Sequence, residues 1–153
     1  MPYLADTNIL LRLLEPNTPM CESARQAILA LHAKGETVFI APQIIAEFWN
    51  GATRPVEVNG FGMTPAQAEV EVRQIEEFFP LLPETPALYI QWRKLIADHS
   101  VIGVQVHDTR LAALMLVHGV THLLTFNLRD FQRFGGITAV HPDQISPVVN
   151  PSG

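Results

Sequence analysis

The chain has 153 residues, a formal net charge of −5 and a single cysteine, Cys21. This length predicts one domain, since most domains hold about 100–150 residues. Hydrophobic residues make up 48% and charged residues 16% of the chain, which excludes extensive disorder. The negative charge excludes binding of a polyanion through bulk positive charge, so any activity on nucleic acid must come from a local site. A lone cysteine excludes an intrachain disulfide and a cysteine zinc cage, and the default expectation is a cytosolic protein.

The first part of the chain predicts strands and helices in alternation. An apolar strand at residues 3–5 ends at the polar triplet 6–8, and a leucine-rich helix follows. Apolar residues at helical spacing predict a second helix over residues 22–34. β-Branched and aromatic residues predict a second strand at residues 37–41, and Pro42 starts a helix that runs to about residue 50.

The second part of the chain predicts more helices before the last strands. Thr64 and Pro65 combine an N-cap with a proline at the first helical position, and Gln67 completes a capping box. A helix should therefore run from Pro65 to about residue 79. The other predicted elements are an edge strand at residues 80–83, helices at 87–98 and 108–118, and strands at 122–126 and 137–140.

Alternating strands and helices predict a single α/β domain over residues 1–148, with a mainly parallel sheet flanked by helices. In such sheets ligands bind at the carboxyl ends of the strands. Residues 149–153 are expected to fray. The apolar run at residues 9–14 is interrupted by Arg12 and lacks a basic leader, so neither a signal peptide nor a membrane helix is expected.

Acidic residues occur where this fold would place its chemistry. Asp6 directly follows the first strand, where a metal-ligand role and an N-cap role are about equally favoured. Glu47 lies among apolar residues at the edge of a buried helix face. The ordinary alternative for Glu47 is a side chain whose stem packs while its carboxylate reaches water.

Two more acids lie in the last third of the chain. Asp108 is on the inward stripe of the most apolar helix, where helix capping is the alternative role. Asp130 follows the strand that ends near residue 126, and Thr125 and Asn127 are its polar neighbours. A turn is the alternative role of Asn127 and Asp130. Clustered carboxylates repel each other unless a cation joins them, and hard cations such as Mg²⁺ and Mn²⁺ favour oxygen ligands.

The order of these motifs resembles PIN-domain ribonucleases, specifically VapC-type toxins. The resemblance rests on the triplet 6–8, Glu47 and segments 107–113 and 124–131, and it spans nearly the whole chain. It implies a parallel sheet flanked by helices and an endoribonuclease that depends on Mg²⁺ or Mn²⁺. It also implies neutralisation by a small antitoxin protein that reaches into the active-site groove, and a homodimer.

The resemblance also assigns roles to individual residues. Asp6 and Asp108 match the principal metal-binding acids, Glu47 matches the acid on the helix after the second strand, and Asn8 matches the residue that supports the first aspartate. Many relatives have an acid at the position of Asn127. Asp130 is therefore the preferred fourth acid, although the Asn127 amide could orient a water or a phosphate.

These observations predict metal-assisted hydrolysis of RNA phosphodiester bonds by the toxin of a type II toxin–antitoxin pair. Asp6 and Asp108 would hold one or two cations, with Glu47 and Asp130 in outer positions. Some of the arginines near these motifs are predicted to contact RNA phosphates, and salt bridges to local acids are the alternative. These arginines are Arg54, Arg110, Arg129 and Arg133.

Two other functions are compatible with an α/β domain of this kind. A phosphotransfer enzyme could use Asp6 as its nucleophile, but the triplet 6–8 lacks the second aspartate of haloacid-type phosphatases. A non-catalytic PIN-like module that binds RNA or protein is the alternative from a different class, and it predicts a missing or scattered set of acids. The acids are present in this chain, which weakens that alternative.

Overall fold

Among the described residues, four short parallel strands form one sheet in the order β2-β1-β3-β4. The computed structural model describes residues 1–147. The strands are β1 (Tyr3–Ala5), β2 (Val38–Phe39), β3 (His122–Leu124) and β4 (Thr138–Val140). The strand order reverses at β1, so the crevice beyond the carboxyl ends of β1 and β3 is the topological switch point at which such sheets bind ligands.

In the part of the chain that the structure describes, six α-helices connect and cover the strands. They are α1 (Thr7–Arg12), α2 (Pro19–Ala33), α3 (Pro42–Thr53), α4 (Pro65–Phe78), α5 (Pro86–His99) and α6 (Gln105–His118). Proline lies at the start of four of these helices, where its fixed φ suits the first turn and its missing N–H costs nothing. Within residues 1–147 no helix is both long enough and apolar enough to cross a bilayer.

The core lies on both faces of the sheet. All three residues of β1 are buried, as expected for a strand of a parallel sheet with helices on each side. Helix α6 buries five consecutive residues, 111–115. Phe48 of α3 and Leu31 of α2 are at most 1% exposed. The carboxyl ends of the strands are therefore held in place by a continuous apolar core.

The predicted α/β fold and the order of its elements are confirmed, and the differences lie at element ends. The strand predicted at residues 37–41 is shorter, because Ile40 leaves β2 to form a single parallel bridge with Leu81. The edge strand predicted at residues 80–83 is reduced to that bridge. Helix α6 begins at Gln105, three residues before the predicted start. The predicted domain end at residue 148 and the predicted frayed tail at 149–153 lie outside the described residues.

The loop after α3 folds back tightly on the end of that helix. The amide of Phe61 donates to the carbonyl of Gly51 at 3.1 Å, and the amide of Gly62 donates to the carbonyl of Arg54 at 2.9 Å. Gly60 lies within this turn, and a Cβ atom there would be 1.7 Å from the carbonyl oxygen of Arg54. Only glycine fits at this position without a backbone shift.

Gly60→Ala is therefore expected to destabilise the protein by roughly 2 kcal/mol, which lowers the melting temperature by about 5 °C. The matched control is Gly135→Ala, because a Cβ atom on Gly135 meets nothing within 4 Å. Differential scanning calorimetry of both variants measures the effect. Equal melting temperatures for the two variants would contradict the close approach at Gly60.

Candidate active site

Asp6 lies at the carboxyl end of β1 and caps α1. Its Oδ1 accepts a hydrogen bond from the amide of Thr7 at 2.8 Å, and its Oδ2 accepts one from Oγ1 of Thr125 at 2.8 Å. Asp6 therefore caps α1 and also contacts the buried Thr125 at the end of the neighbouring strand. Because the cap fixes one oxygen and the buried threonine fixes the other, the carboxylate has a single orientation in the crevice.

Thr125 connects the polar side chains around Asp6. It directly follows β3 and is fully buried. Its Oγ1 donates to Asp6 and accepts from Nδ2 of Asn8 at 3.1 Å and from the amide of Asn127 at 3.0 Å. Oδ1 of Asn8 in turn accepts from the amide of Phe126 at 3.1 Å. This network joins the segments after β1 and β3, which are more than a hundred residues apart in the chain.

Thr125→Val is expected to lower the free energy of unfolding by about 1–2 kcal/mol, because valine keeps the shape but leaves the Asn8 and Asn127 donors without their acceptor. The other fully buried threonine provides the control, since Thr109 donates only to the carbonyl of Gln105 in its own helix. Thr109→Val should lower the free energy of unfolding by a smaller amount. Urea unfolding of both variants measures the difference, and a larger loss for Thr109→Val would refute the network.

Glu47 lies on α3 with a hydrogen-bond donor at each oxygen. Oγ1 of Thr7 donates to Oε2 at 2.5 Å, and Nε2 of Gln43 donates to Oε1 at 3.0 Å. The side chain is half-buried, so it does not simply extend into water. Glu47 therefore faces the same crevice as Asp6, because Thr7 follows Asp6 directly in the chain.

The remaining two acids lie on α6 and on a short 3-10 helix (Arg129–Phe131). Asp108 is in the first turn of α6, where the helix dipole favours an anion. Asp130 is exposed, and its Oδ2 accepts a hydrogen bond from Nδ2 of Asn127 at 2.6 Å. Asn127 and Asp130 are thus hydrogen-bonded to each other, whereas the sequence presented them as alternatives for the fourth position of the site.

The four carboxylates share one electrostatic environment. Burial raises the pKa of Asp6 to about 6, and the charges of Glu47 and Asp130 contribute to this shift. Burial also raises the pKa of Asp108 to about 6, with further contributions from Asp130, Asp6 and Glu47. Hydrogen bonds connect three of these acids, because Thr7 contacts both Asp6 and Glu47. Thr125 and Asn127 link Asp6 to Asp130 in the same way.

The donor set fits a hard divalent cation bound through few protein ligands. Within residues 1–147 no three His, Cys, Asp or Glu side chains are close enough to hold one ion together. Mg²⁺ commonly uses only one or two carboxylates and keeps several waters. Asp6 and Asp108, whose ionised forms are disfavoured by burial and by their neighbours, are the carboxylates that a cation would stabilise most.

The candidate RNA-binding arginines have different surroundings. Arg110 forms a salt bridge with Glu84 at 2.9 Å, which is the alternative to a phosphate contact for this residue. Arg54 follows the far end of α3 from the site and donates to the carbonyl of Asn59 at 3.1 Å. Arg129 is exposed in the short 3-10 helix that also carries the fourth acid. RNA contacts at these three residues remain predictions.

The family model for the PIN domain matches residues 3–137. The chain belongs to the PIN-domain family. Several solved structures share the fold of this PIN domain. A chain of VapBC2 from Rickettsia felis, solved bound to a DNA fragment from its promoter, is 17% identical with a TM-score of 0.70, and the match covers 92% of this chain and 98% of that one.

Two further structures are similar to this PIN domain. A chain of a toxin–antitoxin complex from Klebsiella pneumoniae is 22% identical with a TM-score of 0.63, covering 92% of this chain and 97% of that one. VapC20 from Mycobacterium tuberculosis, a toxin that cleaves the sarcin–ricin loop, is 15% identical with a TM-score of 0.60. That match covers 84% of this chain and 92% of that one. No curated protein matches the chain significantly. At these identities the structural likeness shows the fold.

Two residues of the site were not singled out from the sequence. Thr7 lies inside the polar triplet, yet its contact with Glu47 depends on the packing of α1 against α3. Gln43 lies one helical turn before Glu47, and that spacing is a signal that could have identified it.

Proposed function

We propose that this PIN domain is a metal-dependent endoribonuclease that hydrolyses RNA phosphodiester bonds, and that it is the toxin of a type II toxin–antitoxin pair. The observation that carries the proposal is the hydrogen-bond network at the carboxyl ends of β1 and β3. It links Asp6 to Asp130 through Thr125 and Asn127, and Thr7, the next residue after Asp6, donates to Glu47. Membership of the PIN-domain family supports a nuclease. The resemblance in fold to a toxin that cleaves the sarcin–ricin loop supports RNA as the substrate.

In this proposal Asp6 and Asp108 hold Mg²⁺ or Mn²⁺, and Glu47 and Asp130 lie outside them. The bound cation would lower the pKa of a water and neutralise the charge that develops on the phosphate. The protein's own contribution is orientation. Thr125 and the amide of Thr7 fix the two oxygens of Asp6.

The charge of the site makes RNA binding dependent on the cation. The four acids carry a formal charge of −4, and this accounts for most of the −5 of the whole chain. An RNA phosphate would be repelled from the crevice until divalent cations offset those charges. Arg129, on the same short 3-10 helix as Asp130, is the arginine best placed to contact the RNA backbone.

The decisive experiment is a cleavage assay on structured and unstructured RNAs with Mg²⁺, Mn²⁺ or EDTA. We expect endonucleolytic products with either metal, loss of cleavage in EDTA, and recovery when metal is added in excess. Failure to cleave any RNA with either metal would contradict the nuclease. That result, together with retained RNA or protein binding, would favour the non-catalytic PIN-like module.

An apolar groove supports a small antitoxin as the protein partner. The groove has a volume of about 400 Å³ and lies between α1, α2, α3 and α4. Most of its lining side chains are aliphatic or aromatic, and three are charged or polar, Arg25, Glu71 and Gln74. The apolar ones include Leu13, Ile28, Leu29, Phe48, Ile75 and Phe78. An amphipathic helix would place its apolar face in a groove of this kind. Several structures with the same fold were solved as toxin–antitoxin complexes.

The partner and the oligomeric state can be measured directly. The product of a short reading frame beside this one is the candidate antitoxin, and we expect it to bind the PIN domain and block RNA cleavage. We also propose a homodimer and a cytoplasmic location, where RNA and antitoxin would be available. Light scattering after size exclusion determines the number of chains, and a monomer at micromolar concentration would contradict the homodimer.

A further inference from the structure

The side-chain amide of Gln43 connects three parts of the site. Its Nε2 donates to Oε1 of Glu47 at 3.0 Å and to the backbone carbonyl of His107 at 2.8 Å. Its Oε1 accepts from Nη1 of Arg110 at 3.2 Å. The amide therefore uses both of its hydrogens and its oxygen in contacts with α3 and α6.

The surroundings fix the orientation of this amide. If it were rotated by 180°, its oxygen would face the Glu47 carboxylate and the His107 carbonyl, and its nitrogen would face the Arg110 guanidinium. All three contacts would then be repulsive. The ion pair of Arg110 with Glu84 at 2.9 Å holds the guanidinium in place. Gln43 is thus a rigid connection between the two helices.

This connection lies between the Glu47 carboxylate and the backbone directly before Asp108. One hydrogen of the amide contacts the Glu47 carboxylate, and the other contacts the carbonyl of His107, the residue directly before Asp108. Glu47 and Asp108 repel each other, so without a fixed connection α3 and the first turn of α6 would tend to separate. A single amide bonded to both sides opposes that separation.

We propose that Gln43 is a positioning residue that sets the separation of Glu47 and Asp108 and thereby increases the affinity of the site for a divalent cation. The inference rests on the proposed metal-dependent nuclease and names a residue on which its metal site depends. Loss of a residue that orients a metal-site carboxylate commonly reduces metal affinity or activity by about 10–100-fold. Gln43→Met removes the three hydrogen bonds and keeps the length of the side chain.

The test measures Mn²⁺ binding to the full chain by isothermal titration calorimetry, together with the kinetics of RNA cleavage. For Gln43→Met we expect Mn²⁺ to bind about 10-fold more weakly. At saturating Mn²⁺ we expect kcat to fall by about 10-fold, with KM for RNA changed by less than about 2-fold, because Gln43 acts through Glu47 and Asp108.

The matched control is Gln26→Met on α2. Gln26 also makes a hydrogen bond to a glutamate four residues away, Glu22, at 2.8 Å, but it is exposed and does not contact the site. This control should leave Mn²⁺ affinity and cleavage unchanged. It therefore corrects for the general loss of a glutamine–glutamate contact on a helix.

The outcomes separate this inference from the proposed function. Equal Mn²⁺ affinity of the wild type and Gln43→Met would overturn the role of Gln43, whatever the RNA result. Wild-type protein that binds Mn²⁺ but cleaves no RNA would contradict the nuclease, while weaker binding by Gln43→Met would still support the positioning role. Wild-type protein that binds no Mn²⁺ would overturn both.

Discussion

Asp6→Asn and Asp108→Asn are each expected to reduce RNA cleavage by about 1000-fold, which corresponds to roughly 4 kcal/mol of lost transition-state stabilisation. Both substitutions remove a charge that the cation would need while keeping the size of the side chain. Asparagine is also a good N-cap, so Asp6→Asn preserves the start of α1. Single-turnover cleavage at saturating Mn²⁺ measures the loss.

The control for these variants is Asp98→Asn, an exposed acid on α5. This variant should cleave at the wild-type rate, and circular dichroism should show the same helix content for all the proteins. Full activity of both Asp6→Asn and Asp108→Asn would rule out the proposed metal site. Loss of activity in only one of them would identify which acid the cation requires.

The stability of the metal-free protein is expected to fall as the pH rises from about 4 to above 6. The pKa of Asp6 and that of Asp108 are about 6 in the folded protein, well above the usual value of an aspartate in an unfolded chain. The folded state therefore binds more protons over this range, and the stabilisation is complete below the unfolded pKa and lost as the pH passes the folded pKa. Asp6 alone accounts for up to about 3 kcal/mol, and the half-exposed Asp108 for less.

Thermal unfolding in EDTA at pH 5 and at pH 7.5 measures this effect. The melting temperature should be lower at pH 7.5, and Asp108→Asn should show a smaller decrease because its amide does not ionise. Saturating Mn²⁺ should restore stability at pH 7.5, since it offsets the same charges. A wild-type protein that is equally stable at both pH values in EDTA would mean that the pKa values of Asp6 and Asp108 are not raised in the folded protein.

Much of the fold and some of the site could be predicted because the signals are local. The strand before Asp6 and the capping box at Thr64 depend on residues within a few positions of each other, and the structure has both. Thr18 and Pro19 form a similar local start for α2, three residues before the predicted start. The start of α6 has no comparable signal, because Val104 makes no side-chain cap.

The contacts within the site could not be predicted in the same way. Asp6 and Thr125 are 119 residues apart in sequence, and their hydrogen bond exists because β1 and β3 are neighbours in the sheet. The pairing of Asn127 with Asp130 was open because both residues are also common in turns. Sequence patterns identify which residues lie at strand ends, but only the strand order determines which of those ends meet.

The placement of β1 beside β3 has a consequence for the protein during its synthesis. A nascent chain that has reached the end of α5 contains Asp6 and Glu47 but has neither Asp108 nor the segment with Thr125 and Asp130. The Oδ2 atom of Asp6 then lacks its partner Thr125, and the acids from the later segments are absent. The proposed nuclease would therefore remain inactive on the ribosome until the segment through residue 131 has emerged and folded, so the RNA that encodes it and the ribosome that makes it are protected during most of translation.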